Sequence, residues 1–535
     1  MEMNRAWIIL SLTVLLAGLL LPAFQSFADE QVRSVSAPGL KPDPSGANTG
    51  GVADVVGASR GAPTMDEMKN LATNEPLAMK LADVIGHGRI AINFIWTLIC
   101  GFLVFFMQAG FAMMETGFTR TKNAGHTMAM NMMVFVFGIL GYWVCGYAFQ
   151  MGGAGPGPLA GGTGLLNGEF ALHLFGKDFG FFGTTGFFLS GQAYDVSIIT
   201  LFLFQVVLMD VAATIPTGAM AERWSFKAFV IFGFFISMVT YPLYANWVWG
   251  GGWLSMLGKN FGLGHGVLDF AGSSVVHMVG GVSALAGAVV LGPRMGKYKS
   301  DGTPNAMPGH NIPMAIVGCL ILFFGWFGFN SGSTLAGGDL RIGVIAVNTM
   351  LASCAACFSA MCYMWVLYGK PDLSVCANGL LAGLVSITAA CAFVSTVGAV
   401  MIGLIGGVLC CVSIFFVERR LKVDDPVGAI SVHGTCGAWG LLGLGLFADG
   451  TYGDGLNGVA GAVKGLFYGG ASQFAAEVIG VVVNFIFVFA VMYGFFKLLN
   501  RIIPIRVSPE VEFEGLDQNE VSVTAYPDFG LKTRR

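Results

Sequence analysis

Two stretches place residues capable of proton chemistry inside an otherwise apolar chain. Asp269 is followed eight residues later by His277, in Asp269-Phe-Ala-Gly-Ser-Ser-Val-Val-His277, and Asp425 is followed eight residues later by His433, again in a Val-His pair. If the first stretch is helical, those eight residues rise about 12 Å and carry the imidazole from one membrane face towards the midplane. A neutral imidazole has one donor and one acceptor nitrogen, so two facing rings can share a hydrogen bond and offer their remaining nitrogens to a small substrate. Burial disfavours imidazolium. Such a pair can accept, hold and relay a proton, and so separates a cation that can release one from potassium ion, which cannot. A lone intramembrane histidine can equally serve as an interhelical hydrogen bond. Metal ligation by His277 and His433 is the other reading, and it lacks a nearby third ligand. Both histidines have Gly at +4 and +10 (Gly281 and Gly287, Gly437 and Gly443), a spacing of small residues that lets helices approach closely.

The elements that must position these residues are membrane spans. The chain has 535 residues, 55% hydrophobic and only 11% charged, with mean hydropathy +0.71, which excludes an ordinary soluble domain. No basic block offers a nucleic-acid surface. The eleven cysteines fall in apolar segments, and Cys354-x-x-Cys357 lies mid-span without partner cysteines, so packing is the expected role. Residues 1–28 read as a signal peptide, with a retained anchor as the alternative, and 29–86 as an exported linker rich in Gly and Pro. Within the linker, Met65 to Ile85 could form a short amphipathic helix.

Eleven hydrophobic segments follow, near 90–114, 128–150, 194–220, 228–249, 270–291, 313–332, 343–368, 374–393, 397–416, 428–447 and 475–498. Basic residues alternate sharply between loops. Arg120, Lys122, Arg223, Arg294, Lys297, Arg419 and Arg506 fall on one side, with few counterparts on the other, which predicts an N-terminus outside and a C-terminus inside. Asp269 to His277 then runs inwards and Asp425 to His433 outwards, so both imidazoles reach mid-depth from opposite faces. Segments one and six carry similar runs, Phe105-Phe-Met-Gln-Ala-Gly-Phe111 and Phe323-Phe-Gly-Trp-Phe-Gly-Phe329. The predicted fold is an all-α polytopic membrane protein of eleven transmembrane helices, an inverted five-plus-five repeat plus one. Residues 87–506 form the membrane domain and 507–535 the cytoplasmic tail.

Asp269 to Gly281, Gly325-Trp-Phe-Gly-Phe-Asn-Ser-Gly-Ser333, Ala221-Glu-Arg223, Trp249-Gly-Gly-Gly252, and Asp424-Asp-Pro with Val432-His-Gly434 resemble, in order, the ammonium transporter family and its bacterial branch. The resemblance spans roughly residues 90 to 506. It implies a homotrimer in the bacterial inner membrane, with one pore per subunit moving ammonium or ammonia, no catalytic turnover and no cofactor. His277 and His433 are the conducting pair by this resemblance. Trp249, Phe204 and Ser333 match the outer vestibule, where aromatic faces attract a cation. Phe329 matches one ring of the phenylalanine gate, and Leu208 stands where the other ring is expected.

Asp269 is assigned to support at the pore mouth. Asp210 is an intramembrane carboxylate, for which a contact to Thr214 one turn later is the expected reading. Asp424 and Asp425 are expected to cap the following helix. Glu514-Gly-Leu-Asp517 and Ala525-Tyr526 resemble the family's cytoplasmic tail, which implies a possible PII-type signal protein as partner. Two readings stand beside transport: an ammonium sensor with little flux, and a Rhesus-like channel for neutral ammonia.

Overall fold

A computed structural model of the chain describes residues 42–46, 49–50, 64–154, 166, 168–451, 459 and 461–527. The expected signal peptide lies outside the described residues, as do 29–41, 47–48 and 51–63 of the expected linker. In chain order the helices of six or more residues are α1 (Met65–Asn74), α2 (Pro76–Phe118), α3 (Thr121–Met151), α4 (Val196–Ala219), α5 (Phe226–Trp249), α6 (Ser273–Leu291) and α7 (Ile312–Gly332). There follow α8 (Ile342–Tyr368), α9 (Leu373–Thr388), α10 (Thr396–Arg419), α11 (Ile430–Phe447), α12 (Ala471–Ile502), α13 (Pro509–Glu514) and α14 (Leu516–Val521). Among the described residues ten of these, α2 to α8 and α10 to α12, are long and apolar enough to cross a membrane.

The remaining predicted span, 374–393, is α9, which closes at Thr388 after 16 residues. Its end is occupied by the chain that precedes α6. Ala271 N–H donates to the Thr388 carbonyl (3.2 Å) and Phe270 N–H to that of Ala389 (3.3 Å), while Ser273 Oγ accepts from Ala389 N–H (2.7 Å). These bonds satisfy groups that another helical turn would otherwise have used. α2 departs in the other direction. The span expected from residue 90 and the boundary expected at 87 fall inside one helix of 43 residues, about 65 Å long at 1.5 Å per residue. Pro76 starts it at a position where a missing N–H is tolerated.

The all-α expectation is incomplete at one place. β1 (Glu169–Leu174) and β2 (Lys177–Gly183) form an antiparallel hairpin, with an irregularity between Phe170 and Ala171. Its period-two pattern, Phe170, Leu172 and Leu174, is too short to register against long apolar spans. The hairpin straps the end of α5, since Trp247 Nε1 donates to the Phe181 carbonyl (2.9 Å) and Trp253 N–H to that of Gly180 (2.9 Å).

Glycines set the central crossings. A Cβ on Gly281 of α6 would lie 2.1 Å from Gly434 N, and on α11 one on Gly437 would meet the Ser273 carbonyl at 2.5 Å and one on Gly440 the Ser273 hydroxyl at 2.4 Å. Contacts that rise along one helix as they fall along the other make the pair antiparallel. α2 and α7 pack in the same sense, with Gly117 against Ala315, Gly110 against Leu322 and Gly332 against Cys100.

At the end of the bundle that carries the tail, several buried ions are paired. Arg294 binds Asp424 through Nε (2.8 Å) and a terminal nitrogen (2.9 Å), and reaches Glu222 at 3.0 Å. Glu222 also pairs with Arg120. Asp424 is therefore not the helix cap expected of it: two guanidinium groups, Arg294 and Arg223, surround it in a buried site. Burial alone would raise its carboxyl, but Arg223 and Arg294 hold it well below the usual carboxylate range. The tail adds carboxylates to free helix starts. Asp517 accepts from His126 N–H (2.8 Å) at the start of α3, and Glu520 from Phe226 N–H (2.7 Å) at the start of α5.

Two substitutions test the packing argument. Gly281→Val should cost about 1–3 kcal/mol through overpacking and lower the thermal unfolding temperature in detergent. Gly494→Ala on α12, where a Cβ meets nothing within 4 Å, should leave that temperature unchanged.

Candidate functional site

The site is built at the starts of α6 and α11. Asp269 lies ahead of α6 rather than inside it, contrary to the continuous helix considered for Asp269 to His277. Its Oδ1 accepts from Gly272 and Ser273 N–H (both 2.8 Å), and its Oδ2 from Ser274 N–H (2.6 Å), Val275 N–H (2.9 Å) and the Ser274 hydroxyl (2.8 Å). One carboxylate thus serves all of the first unpaired donors of the helix. Asp425 does the same for α11, accepting from Val427 (3.3 Å), Gly428 (2.9 Å) and Ile430 (2.7 Å) N–H groups. Each loop turns on a glycine at positive φ, Gly272 at 124° and Gly428 at 82°. Both helices open with a wide turn, Ser273–Met278 and Ile430–Thr435. There His277 N–H bonds five residues back to the Gly272 carbonyl (3.0 Å), a geometry common at functional sites.

These turns bring the two histidines together. Nδ1 of His277 and Nδ1 of His433 are 3.2 Å apart, and the rings lie nearly parallel with centroids 5.3 Å apart. Both are buried, His277 completely. A hydrogen bond between two Nδ1 atoms needs one donor and one acceptor, so the rings hold complementary tautomers. His277 Nε2 has no partner among the described residues. Trp326 stacks on His277 at 4.8 Å and 17°, and Phe329 at 5.4 Å and 26°. Phe111 lies 6.1 Å from His433. Trp326 is fixed by its Nε1, which donates to Thr388 Oγ1 (2.9 Å).

Phe204, Trp249, Ser333, Leu208 and Asp269 line one cavity of about 220 Å³. Trp249 Nε1 donates to the Asp269 carbonyl (2.6 Å), so the residue that starts α6 also holds the cavity's indole. Ser333 Oγ donates to the Phe329 carbonyl (2.9 Å). Phe329 does not line the cavity and sits on the histidine side. Leu208 is buried in the cavity wall, an aliphatic side chain in place of the expected ring.

Asp210 is the residue that the structure keeps apart. It is buried and does not line the cavity, and its Oδ1 has no partner among the described residues. The expected bond to Thr214 is absent, because packing brings α2 against α4 and the Thr214 hydroxyl donates across to Gln108 Oε1 (3.0 Å).

Sequence reasoning did not single out Trp326 or Phe111. Both lie in the similar runs 105–111 and 323–329, and that repetition was the available signal. As a test of the capping geometry, Asp269→Ala strands four backbone N–H groups at about 1–3 kcal/mol for each buried one. It should abolish recovery of folded protein by size-exclusion chromatography, whereas Asp425→Ala, which frees three donors, should leave a larger folded fraction.

Residues 95–526 match the Ammonium Transporter Family. The ammonium transporter Amt2 of Archaeoglobus fulgidus is 46% identical over 443 residues, covering 82% of this chain and 89% of that protein. A putative ammonium transporter of Synechocystis, sll1017, is 35% identical over 442 residues, covering 81% of this chain and 89% of the relative. Among solved structures, one titled Sensor Amt Protein superposes with a TM-score of 0.70 at 34% identity, covering 81% of this chain and 99% of that one. Mep2 of Candida albicans superposes with a TM-score of 0.66 at 26% identity, covering 78% and 87%. With a family match across most of its length and a relative of this identity, the chain is a multi-pass membrane protein that belongs to the ammonium transporter family.

Proposed function

We propose that this protein conducts ammonium or ammonia across a plasma membrane through a narrow pore, with His277 and His433 as the deprotonation and relay pair. The observation that carries the reading is the 3.2 Å contact between two buried imidazoles in an apolar site, with His277 Nε2 left without a partner. A cation enters the cavity against the faces of Trp249 and Phe204 beside Ser333. It passes Leu208 and Phe329 and gives a proton to an imidazole nitrogen. Ammonia remains hydrogen-bonded to the pair while the proton moves along the shared Nδ1 contact, and the two recombine beyond it. Potassium ion has no proton to give and is refused. Asp269 supports the pore mouth, and Asp210 acts only through its field.

In this reading the N-terminus is outside and the tail inside, the helices form an inverted five-plus-five repeat plus one, and three subunits assemble in a bacterial inner membrane. The tail, seated on the basic end of the bundle, is where a PII-type protein would bind. Failure of the purified protein to bind any PII protein of the host would remove that partner. A sensing role is the second reading, favoured by the likeness to the structure titled Sensor Amt Protein.

Current on a solid-supported membrane after an ammonium jump decides between them. Transport predicts a saturating current in proteoliposomes that is lost in the His277→Ala, His433→Ala double variant, and no current after a potassium jump. If no current appears, acidification or alkalinisation of an enclosed dye separates neutral ammonia flux from none, and none favours sensing. Leu208→Phe should fold normally and alter the ammonium current or the potassium leak; unchanged values for both would remove Leu208 from the gate.

A further inference from the structure

The cavity wall formed by Met151, Ala154, Val248 and Trp249 is backed by a carboxyl group with no part in the pathway above. Glu169, the first residue of β1, is wedged between the end of α3 and β2. A Cβ on Gly153 would lie 2.2 Å from its Oε2, and one on Gly180 2.6 Å from its Oε1, so two glycines leave the space that the carboxyl fills. Oε2 accepts from Asn246 Nδ2 (3.1 Å), which also donates to the Gln150 carbonyl (3.1 Å). Asn246 in turn holds the turn that presents Trp249, since its carbonyl accepts the N–H groups of Gly250 (2.9 Å) and Gly252 (3.0 Å).

Each of these two side chains keeps one buried oxygen without a partner among the described residues, Oε1 of Glu169 and Oδ1 of Asn246. Both atoms are acceptors when the carboxyl is ionised, so the pair lacks a donor. A proton on Glu169 supplies one.

We propose that Glu169 is a proton-linked positioning residue for the Trp249 turn: protonated, it ties β1 and the ends of α3 and α5 together behind the cavity wall, and ionised, it releases them. Burial pushes the Glu169 carboxyl up to about 7, with the Asn246 hydrogen bond pulling the other way. Because protonation is favoured in the packed arrangement, the tie is complete at low pH and is lost as pH rises through that value. One other carboxyl adjoins the Trp249 turn, that of Asp269, whose carbonyl accepts from the Trp249 indole and whose carboxylate accepts five hydrogen bonds at the start of α6. Residues 155–168 contain no titratable side chain. Near their ends α3 and α5 present the phenols Tyr142, Tyr147, Tyr241 and Tyr244, which ordinarily titrate near 10, and the thiol Cys145, which ordinarily titrates near 8.5. On the hairpin, His173 pairs with Asp178 at 2.9 Å, both exposed, beside Lys177 near the turn.

The inference rests on the transport reading for its link to uptake, so the test has two arms. In proteoliposomes the KM for ammonium should rise about threefold or more between about pH 6 and pH 8 outside, with little change in maximal current. Glu169→Gln, neutral and able to donate, should keep the low value throughout, and Glu169→Ala should show the high value at both. In the same vesicles, quenching of Trp249 fluorescence by an external quencher, taken as the difference from Trp249→Phe, should grow over this pH range in the unsubstituted protein and stay constant in Glu169→Gln. A Glu169→Gln variant that keeps the unsubstituted pH profile in either arm overturns the proposal. Absence of ammonium current in every variant overturns the transport reading instead, and the quenching arm still decides the role of Glu169.

Discussion

Inside an apolar bundle a backbone N–H has no water to bond, and leaving one unpaired costs about 1–3 kcal/mol. Two helices of this protein nevertheless begin deep enough to place a histidine at the core. They do so because Asp269 and Asp425 gather the free donors of α6 and α11 onto their carboxylate oxygens. Much of the interior depends on this arrangement. The loop that carries Asp269 closes α9 through Phe270, Ala271 and Ser273, and its carbonyl fixes Trp249 at the cavity. A single acidic residue thereby couples a helix start, a helix end and the cavity wall.

The second constraint is close approach. Gly281 and Gly437 let α6 and α11 cross with backbone against backbone, which brings the two wide turns side by side and the imidazoles to hydrogen-bonding distance. Aromatic rings then enclose the pair: Trp326 and Phe329 cover His277, and Phe111 lies beside His433. Trp326 is in turn held by Thr388, the residue at which α9 stops. The early end of α9 and the placement of the histidine pair are thus parts of one arrangement.

The two ends of the bundle use charge differently. At the tail end, Arg294, Glu222 and Asp424 form a buried paired network joined by the part-exposed Arg120, and the tail carboxylates occupy the free starts of α3 and α5. Such pairing lowers the cost of burying ions without requiring that it add stability. At the cavity end the buried ionisable groups include the carboxyls of Asp195, Asp269 and Glu477, each accepting from backbone N–H groups. The cavity is lined by aromatic and aliphatic groups with Gln205, Ser333 and Asp269 as polar members, and Glu169 stands behind the wall rather than in it.

Composition and pattern were enough to identify a polytopic membrane protein, ten of its apolar helices though not where the first begins, the family and the two histidines. These features are legible because each is local: a span is a run of apolar residues, and the motif is a contiguous string around each histidine. Other outcomes depended on groups far apart in the chain. α9 ends at Thr388 because residues 270–273 take its last bonds. Thr214 turns to Gln108 instead of Asp210 because α2 packs there, and Asp424 pairs with Arg294 rather than capping a helix. The meeting of His277 and His433, 156 residues apart, likewise belongs to the fold. Sequence determined which chemistry was present and at what depth it could lie, because hydropathy and residue type are properties of short segments. Only tertiary packing decided which groups touch, because a buried polar atom bonds to whatever partner the neighbouring helix brings within reach.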